Sequence, residues 1–429
     1  MIEPKGSGAP GRPATPARPA DRPGELLAEV AALSRHFGSD PAYTRGGGGN
    51  SSGKADGVLY IKPSGVSLAT LSPRSLMPLT MEPLLAVLDG STAAAPPGSE
   101  EVLRMGMAAR LDPADHRRPS VELVFHALLP ERIVIHTHPT TVNALTCAAK
   151  GPELAADLFG DDVLWIPYTN PGLPLACRIA DVRRAHEQRT GHRPPPVILL
   201  QNHGLIVAGS GTQEIIERSA VVVAAIRELI KGSDPLPTPD VAAADAAVVQ
   251  VVATAIASEM GTAGAPVVVA TDTSAAALRL GATAAGRAFV GGGPLTPDQI
   301  VYAGSWPLLV EAGPAGSGGF GAGLGAGGGA DGFTQALHKR LAEHIAATHE
   351  RPAIVVVEGV GLFAVAGSTD LAATVRDVYL DAIRVGEGAT RLGGIRPLAP
   401  EERRFIQDWE AEAYRLGVAA AGDLQPGGR

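Results

Sequence analysis

Two stretches of this chain can be laid on one another: "VILLQNHGLIVAGSGTQEIIERSAVVVAAI" (197–226) and "AIVVVEGVGLFAVAGSTDLAATVRDVYLDAI" (353–383). Each reads as an apolar strand, a Gly-Leu turn-back into a second strand, a Gly-Ser pair and a long amphipathic helix. A hairpin of that kind buries one face under its helix, so the pattern demands α/β layers, and it occurs twice. Laying Gly204 on Gly361 puts His203 on Val360. Read as a repeat, the second unit keeps the architecture and lacks the polar residue. Read as chance, two hairpin–helix units merely look alike.

The flanking segments extend the same alternation. "ELLAEVAALSRHFG" has helical spacing from Glu25 and ends at Gly38. "VLYI" is a short strand inside a Gly-rich loop region, and "PSVELVFHALLP" reads as a helix. "RIVIHTH" is a strand stopped by Pro139, which suits the first turn of the helix "PTTVNALTCAA". "KGSDPLPTPD", with Pro235, Pro237 and Pro239, reads as a linker. Beyond it "VVATAIASEM", "PLLVEA" and "FTQALHKRLAEHIAATH" alternate helix and strand again. The expected organisation is a disordered tail (1–24), a first domain (25–232), a linker (233–242), a second α/β region (243–415) and a tail (416–429). The Gly-rich run 313–332 reads as a low-complexity surface loop. Its formal GxGxxG at Gly323, Gly325 and Gly328 lies too far from the strand ending near Ala312 to make a dinucleotide turn.

A length of 429 residues suits two or three domains, and 45% hydrophobic with 19% charged residues is globular composition. A net charge of -8 argues against nucleic-acid or anionic-membrane partners. No apolar run approaches the roughly 20 residues of a spanning helix, and the N-terminus lacks the apolar core of a signal peptide. With Cys147 and Cys177 alone, no disulfide framework is expected, which points to a reducing cytoplasm.

His136 and His138 alternate onto one face at a strand end, and His203 precedes a glycine turn. Three imidazoles would leave one position of a zinc ion open, whereas a lone histidine is more often a hydrogen-bonded core residue. Glu122, on the expected helix before the HTH strand, is either a proton carrier in partly apolar surroundings or an acid favouring a helix N-terminus. His126, four residues on, falls on the same face of that helix and reads as a packing or supporting residue. "GGGGNSS" (46–52) and "KPSG" (62–65) are loops whose N–H groups and hydroxyls can cradle phosphate, with Asn50, Ser64, Gly65 and Ser120 as donors and Lys62 as added charge. A plain flexible loop has the same composition. P-loop, CxxC and HExxH patterns are absent, and no GxSxG nucleophile elbow is expected.

In their order along residues 45–209, "GGGGNSS", "KPSG", "PSVE", "HTHP" and "NHGL" resemble the class II aldolase/adducin family. The region after the linker, with "PLTPDQIVYAGSWPLLV", "GVGLFAVAG" and "EERRFIQDWEAEAYRL", is similar to the aldolase part of bifunctional rhamnulose-1-phosphate aldolase/dehydrogenases. The resemblance implies a three-layer α/β/α fold with a central, mainly antiparallel sheet, followed by a smaller α/β region read as a degenerate repeat. It implies Zn2+, or another divalent transition metal, on His136, His138 and His203. It gives Glu122 the acid/base role and Asn50, Ser64, Gly65 and Ser120 the phosphate contacts. The implied reaction is reversible cleavage of a ketose 1-phosphate, rhamnulose-1-phosphate-like, to dihydroxyacetone phosphate and an aldehyde. Metal would act as Lewis acid and Glu122 would move the proton. A homo-oligomer is implied as well.

Val121 departs from the pattern: simpler sugar-phosphate aldolases often carry a second serine there. No dehydrogenase unit follows "WEAEAYRL", so a separate aldehyde dehydrogenase or reductase is expected in the pathway. Rival readings on the same site are a sugar-phosphate 4-epimerase, a sugar-acid-phosphate decarboxylase and a non-catalytic adducin-like scaffold. Epimerases usually carry Asp at the Glu122 position, and adducin-type chains lose the metal ligands.

Overall fold

A computed structural model of the chain describes residues 23–88, 99–236, 240–262, 264–311 and 329–409. Most of the Gly-rich run 313–332, its GxGxxG, both tails apart from Pro23 and Gly24, and Pro237 and Pro239 of the linker lie outside them. Eleven described strands form two sheets. The first orders its seven strands as β3 (Met77–Thr80), β2 (Val58–Ile61), β1 (Asn50–Ala55), β4 (Ile133–Thr137), β7 (Gly204–Gly209), β6 (Val197–Leu200) and β5 (Leu164–Ile166). All neighbours are antiparallel except β5 and β6. The second sheet orders β8 (Val268–Asp272), β11 (Gly361–Ala366), β10 (Ile354–Val357) and β9 (Leu308–Val310).

Side-chain alternation divides each strand between two cores. Ile133, Ile135, Leu205 and Val207 face the helices Pro23–Gly38 and Thr212–Gly232. Val134, Ile206 and Ala208 face the helices Leu123–Leu128 and Leu173–Thr190 on the other side. The second sheet is covered likewise, by Ala246–Met260 and Gly329–Thr348 on one face and by Ala275–Ala282 and Thr369–Arg391 on the other. Both regions are therefore three-layered. Among the described residues no helix is long and apolar enough to cross a membrane.

The repeat extends beyond the two hairpins. The strand order β4-β7-β6-β5 and the order β8-β11-β10-β9 share one pattern: antiparallel, antiparallel, parallel. Thr137 pairs with Leu205 as Asp272 pairs with Leu362, so Thr271 occupies the position of His136 and Val360 that of His203. The second copy keeps the frame without the histidines.

Two local expectations change. "NSSGKA" is a strand rather than loop, although its residues have little strand preference. Its small side chains let the first helix lie close: a Cβ on Gly53 would sit 2.8 Å from both Leu26 and Val30, and Ser51 Oγ is 2.7 Å from Ser34 Oγ. The helix expected from Pro119 begins only at Leu123, with Glu122 as its N-cap residue. Pro119 is held in a bridge to Pro63 and Ser64 N donates to Arg118 O, which keeps this segment off the helical path. Glu122 therefore stands at the entrance of the helix that carries His126. His338 and His349 are exposed, whereas His344 is half-buried.

Candidate metal centre and active-site cavity

His136 is the penultimate residue of β4, and His138 lies just beyond the strand, where His138 N donates to Tyr43 O at 2.9 Å. His203 stands in the turn between β6 and β7. The preceding Asn202 takes a positive φ of 53°, which asparagine tolerates better than most residues. Glycine is required next: a Cβ on Gly204 would sit 2.4 Å from Thr137 O and 2.9 Å from the His138 ring. The three rings converge from these two strand ends. His136 Nε2 lies 3.0 Å from His138 Nε2 and 3.3 Å from His203 Nε2. Among the described residues they form a group of three ligand-bearing side chains with donor atoms within 4.8 Å of one another.

The donor set fits a divalent metal. His136 Nδ1 is 3.0 Å from Leu205 O, so that nitrogen carries the proton and Nε2 presents its lone pair. Burial, then the neighbouring His138 and His203, hold His136 well below the ordinary imidazole range, which keeps it neutral as a ligand must be. Spacings of 3.0 and 3.3 Å are close to the edge of about 3.3 Å expected for nitrogens on a tetrahedral ion with bonds of ~2.0 Å.

Glu122 faces the same point, with Oε2 3.6 Å from His136 Nε2 and Oε1 3.7 Å from His203 Nε2. A file of side chains stands behind it. Ser52 Oγ is 2.7 Å from His126 Nδ1, His126 Nε2 is 2.5 Å from Asn50 Oδ1, and Asn50 Nδ2 donates to Glu122 Oε2 at 2.6 Å. Burial, then Lys54 and Lys62, keep His126 well below its ordinary range, so one ring nitrogen donates and the other accepts. Asn50 is thus committed, by its amide, to Glu122 and His126. His126 meets Glu122 through Asn50.

One cavity gathers the sequence candidates. Asn50, Ser64, Gly65, Ser120, Glu122, His138 and His203 all line it, together with Lys62 and Val121. Lys62 is buried, and its ammonium donates to Val66 O at 2.6 Å and Pro63 O at 3.3 Å. Ser120 Oγ accepts from Glu122 N at 3.4 Å.

The sequence reading missed the contribution of the C-terminal region. Pro297 and Asp298 also line the cavity, and Asp298 Oδ2 lies 2.5 Å from His138 Nδ1. Tyr302 Oη accepts from Gly47 N at 2.8 Å and so pins the glycine loop. Asn202 Nδ2 donates to Leu295 O at 2.9 Å and to Arg396 O at 2.7 Å, while Arg396 donates back to Asn202 Oδ1 at 2.8 Å. Only "TPDQ", a Thr cap with Pro and Asp in the first turn, was visible in the sequence, and it marks a helix start rather than a site.

Two family models and several known proteins resemble this chain. The model of the Class II Aldolase and Adducin N-terminal domain matches residues 28–230, and that of the Aldolase class II second domain matches residues 243–416. A Bacillus subtilis (strain 168) protein described as the uncharacterized oxidoreductase YuxG is 24% identical over 418 residues. That alignment takes in 91% of this chain and 58% of the relative, so the chain spans little more than half of that protein's length. Among solved structures, the N-terminal class II aldolase domain of a conserved Thermoplasma acidophilum protein is 27% identical with a TM-score of 0.42, covering 52% of this chain and all of that one. The L-fuculose-1-phosphate aldolase of Thermus thermophilus is 18% identical with a TM-score of 0.30, covering 49% of this chain and 98% of that one. With both domain models matched in tandem, over residues 28–230 and 243–416, the chain belongs to the class II aldolase and adducin family.

Proposed function

We propose that this chain is a metal-dependent aldolase that reversibly cleaves a ketose 1-phosphate, rhamnulose-1-phosphate-like, to dihydroxyacetone phosphate and an aldehyde. The observation that carries this reading is the Glu122 carboxylate, within 3.7 Å of two imidazole Nε2 atoms on the wall of a cavity that also holds the Ser64–Gly65 loop. His136, His138 and His203 would hold Zn2+ or a related divalent ion. Bound there, the ion supplies Lewis acidity toward the substrate's ketone oxygen. Ser64, Gly65 and Ser120 take the phosphate, with Asn50 contributing at the same wall. In the synthetic direction Glu122 takes a proton from the carbon beside the ketone of dihydroxyacetone phosphate, and in cleavage it returns that proton. Asn50, held by His126, keeps the carboxylate aimed.

The reading carries with it a homo-oligomer, a reducing cytoplasm and a partner dehydrogenase or reductase acting on the aldehyde. The two free, buried thiols of Cys147 and Cys177 accord with such a compartment. The domain limits 25–232 and 243–415 are part of the same proposal. The test is dihydroxyacetone phosphate release by metal-loaded protein from a panel of ketose 1-phosphates, with and without chelator. Chelator-sensitive release from at least one substrate is expected. His203→Ala should lose metal and turnover together, whereas Glu122→Gln should keep metal and lose turnover. Metal-loaded protein that releases nothing from the whole panel would refute the aldolase reading, and epimerisation or decarboxylation would be assayed next.

A further inference from the structure

Asp298 stands at the second position of the helix Pro297–Ala303, and the chain there has little freedom. Thr296 caps the helix by accepting from Gln299 N at 3.3 Å, and Gln299 Oε1 accepts from Leu295 N at 2.9 Å. Leu295 O is in turn held by Asn202, the neighbour of His203. Asp298 is therefore fixed from both sides before its own side chain is considered. That side chain reaches His138 across a sequence separation of 160 residues, and both side chains are 11% exposed. Gly48 makes the room: a Cβ there would sit 2.6 Å from Asp298 Oδ2 and 3.1 Å from His138 Nδ1.

The contact falls on the ring nitrogen that points away from the triad. A carboxylate at Nδ1 keeps the proton on that nitrogen, which leaves the Nε2 lone pair toward His136, 3.0 Å away. His136 has its Nδ1 oriented by Leu205 O from within its own sheet. For His138 the acceptor comes from the C-terminal region.

We propose that Asp298 is the positioning residue of this metal centre, so that the C-terminal region is part of the metal site rather than an appendage to it. The proposal rests on reading the triad as a metal centre, but not on which sugar phosphate is turned over. It is tested on the full-length protein with Asp298→Asn and Asp298→Ala, stripped of metal and titrated with Co2+. The visible absorption of bound Co2+ reports ligand geometry, competition with a chromophoric chelator gives affinity, and circular dichroism reports the fold. Asp298→Ala should bind about 10–100-fold more weakly and with an altered spectrum. Asp298→Asn keeps an oxygen acceptor without the charge and should lose less, about tenfold or under. Both variants matching the parent in affinity and spectrum would overturn the proposal. So would loss confined to an unfolded Asp298→Ala beside an Asp298→Asn indistinguishable from the parent. A parent that binds no Co2+ would instead remove the metal-centre reading, and this proposal with it.

Discussion

Asn202 joins the two regions at the turn that carries His203, and its removal should be costly in a way that can be divided into parts. Its side chain is fully buried and makes three hydrogen bonds, two to the carbonyls of Leu295 and Arg396 and one from the Arg396 guanidinium. Net values of about 1 kcal/mol for each neutral bond and about 1.5–3 kcal/mol for the charge-assisted one give roughly 3–5 kcal/mol. The φ of 53° adds a second part, since alanine in the left-handed region costs roughly 1–2 kcal/mol and glycine does not pay it. Asn202→Ala should therefore destabilise by about 4–7 kcal/mol and Asn202→Gly by about 1–2 kcal/mol less. Urea unfolding followed by tryptophan fluorescence is suitable, because Trp165 lies in the first sheet while Trp306 and Trp409 lie in the C-terminal region. An alanine variant within 1 kcal/mol of the parent would show that the clamp is not what joins the regions. Equal losses for alanine and glycine would refute the backbone part alone.

Three further outcomes are expected. His126→Phe frees Asn50 from its ring partner, so kcat of the assayed reaction should fall about tenfold, equivalent to ~1.4 kcal/mol, with Co2+ affinity unchanged; an unchanged kcat would remove His126 from the support of Glu122. Burial, opposed by Glu131, lowers Lys54 from 10.5 to about 7, so between those values the unfolded chain binds the extra proton and the parent's stability rises with pH. Lys54→Met should then gain on the order of 1 kcal/mol at pH 6 and less at pH 9, and a gap that does not narrow would contradict the assignment. Gly388→Ala would place a methyl 2.5 Å from Ala144 Cβ, where the helix Thr369–Arg391 crosses the helix Thr140–Thr146, and should cost about 1–3 kcal/mol despite alanine's better helix propensity; a thermal melt at or above the parent's would refute it.

The elements that could be read from sequence are those specified locally. The hairpin–helix units, the strand that carries His136 and the helix after Pro139 depend on residues close to one another in the chain, and each appears where its pattern puts it. The order of small motifs also carried the family, the fold and the triad. What stayed hidden depends on distant partners. β1 is a strand because β2 and β4 flank it and a helix lies on Gly53, not because "NSSGKA" favours strands. Glu122 leaves the helix because Pro119 is drawn to Pro63. Asp298 and Tyr302 look like ordinary members of a capped helix until the chain returns to the glycine loop and the HTH strand.

The clamp between Asn202 and Arg396 also has a place in time. Its two members are 194 residues apart, and chains are synthesised at roughly 5–20 residues per second, so the turn bearing His203 emerges about 10–40 s before its clamp. For that interval the nascent chain displays three histidines whose framework is unfinished, in the presence of every metal the cell holds. A metal held by the triad as proposed would therefore meet its complete framework only once the C-terminal region has closed on the His203 turn.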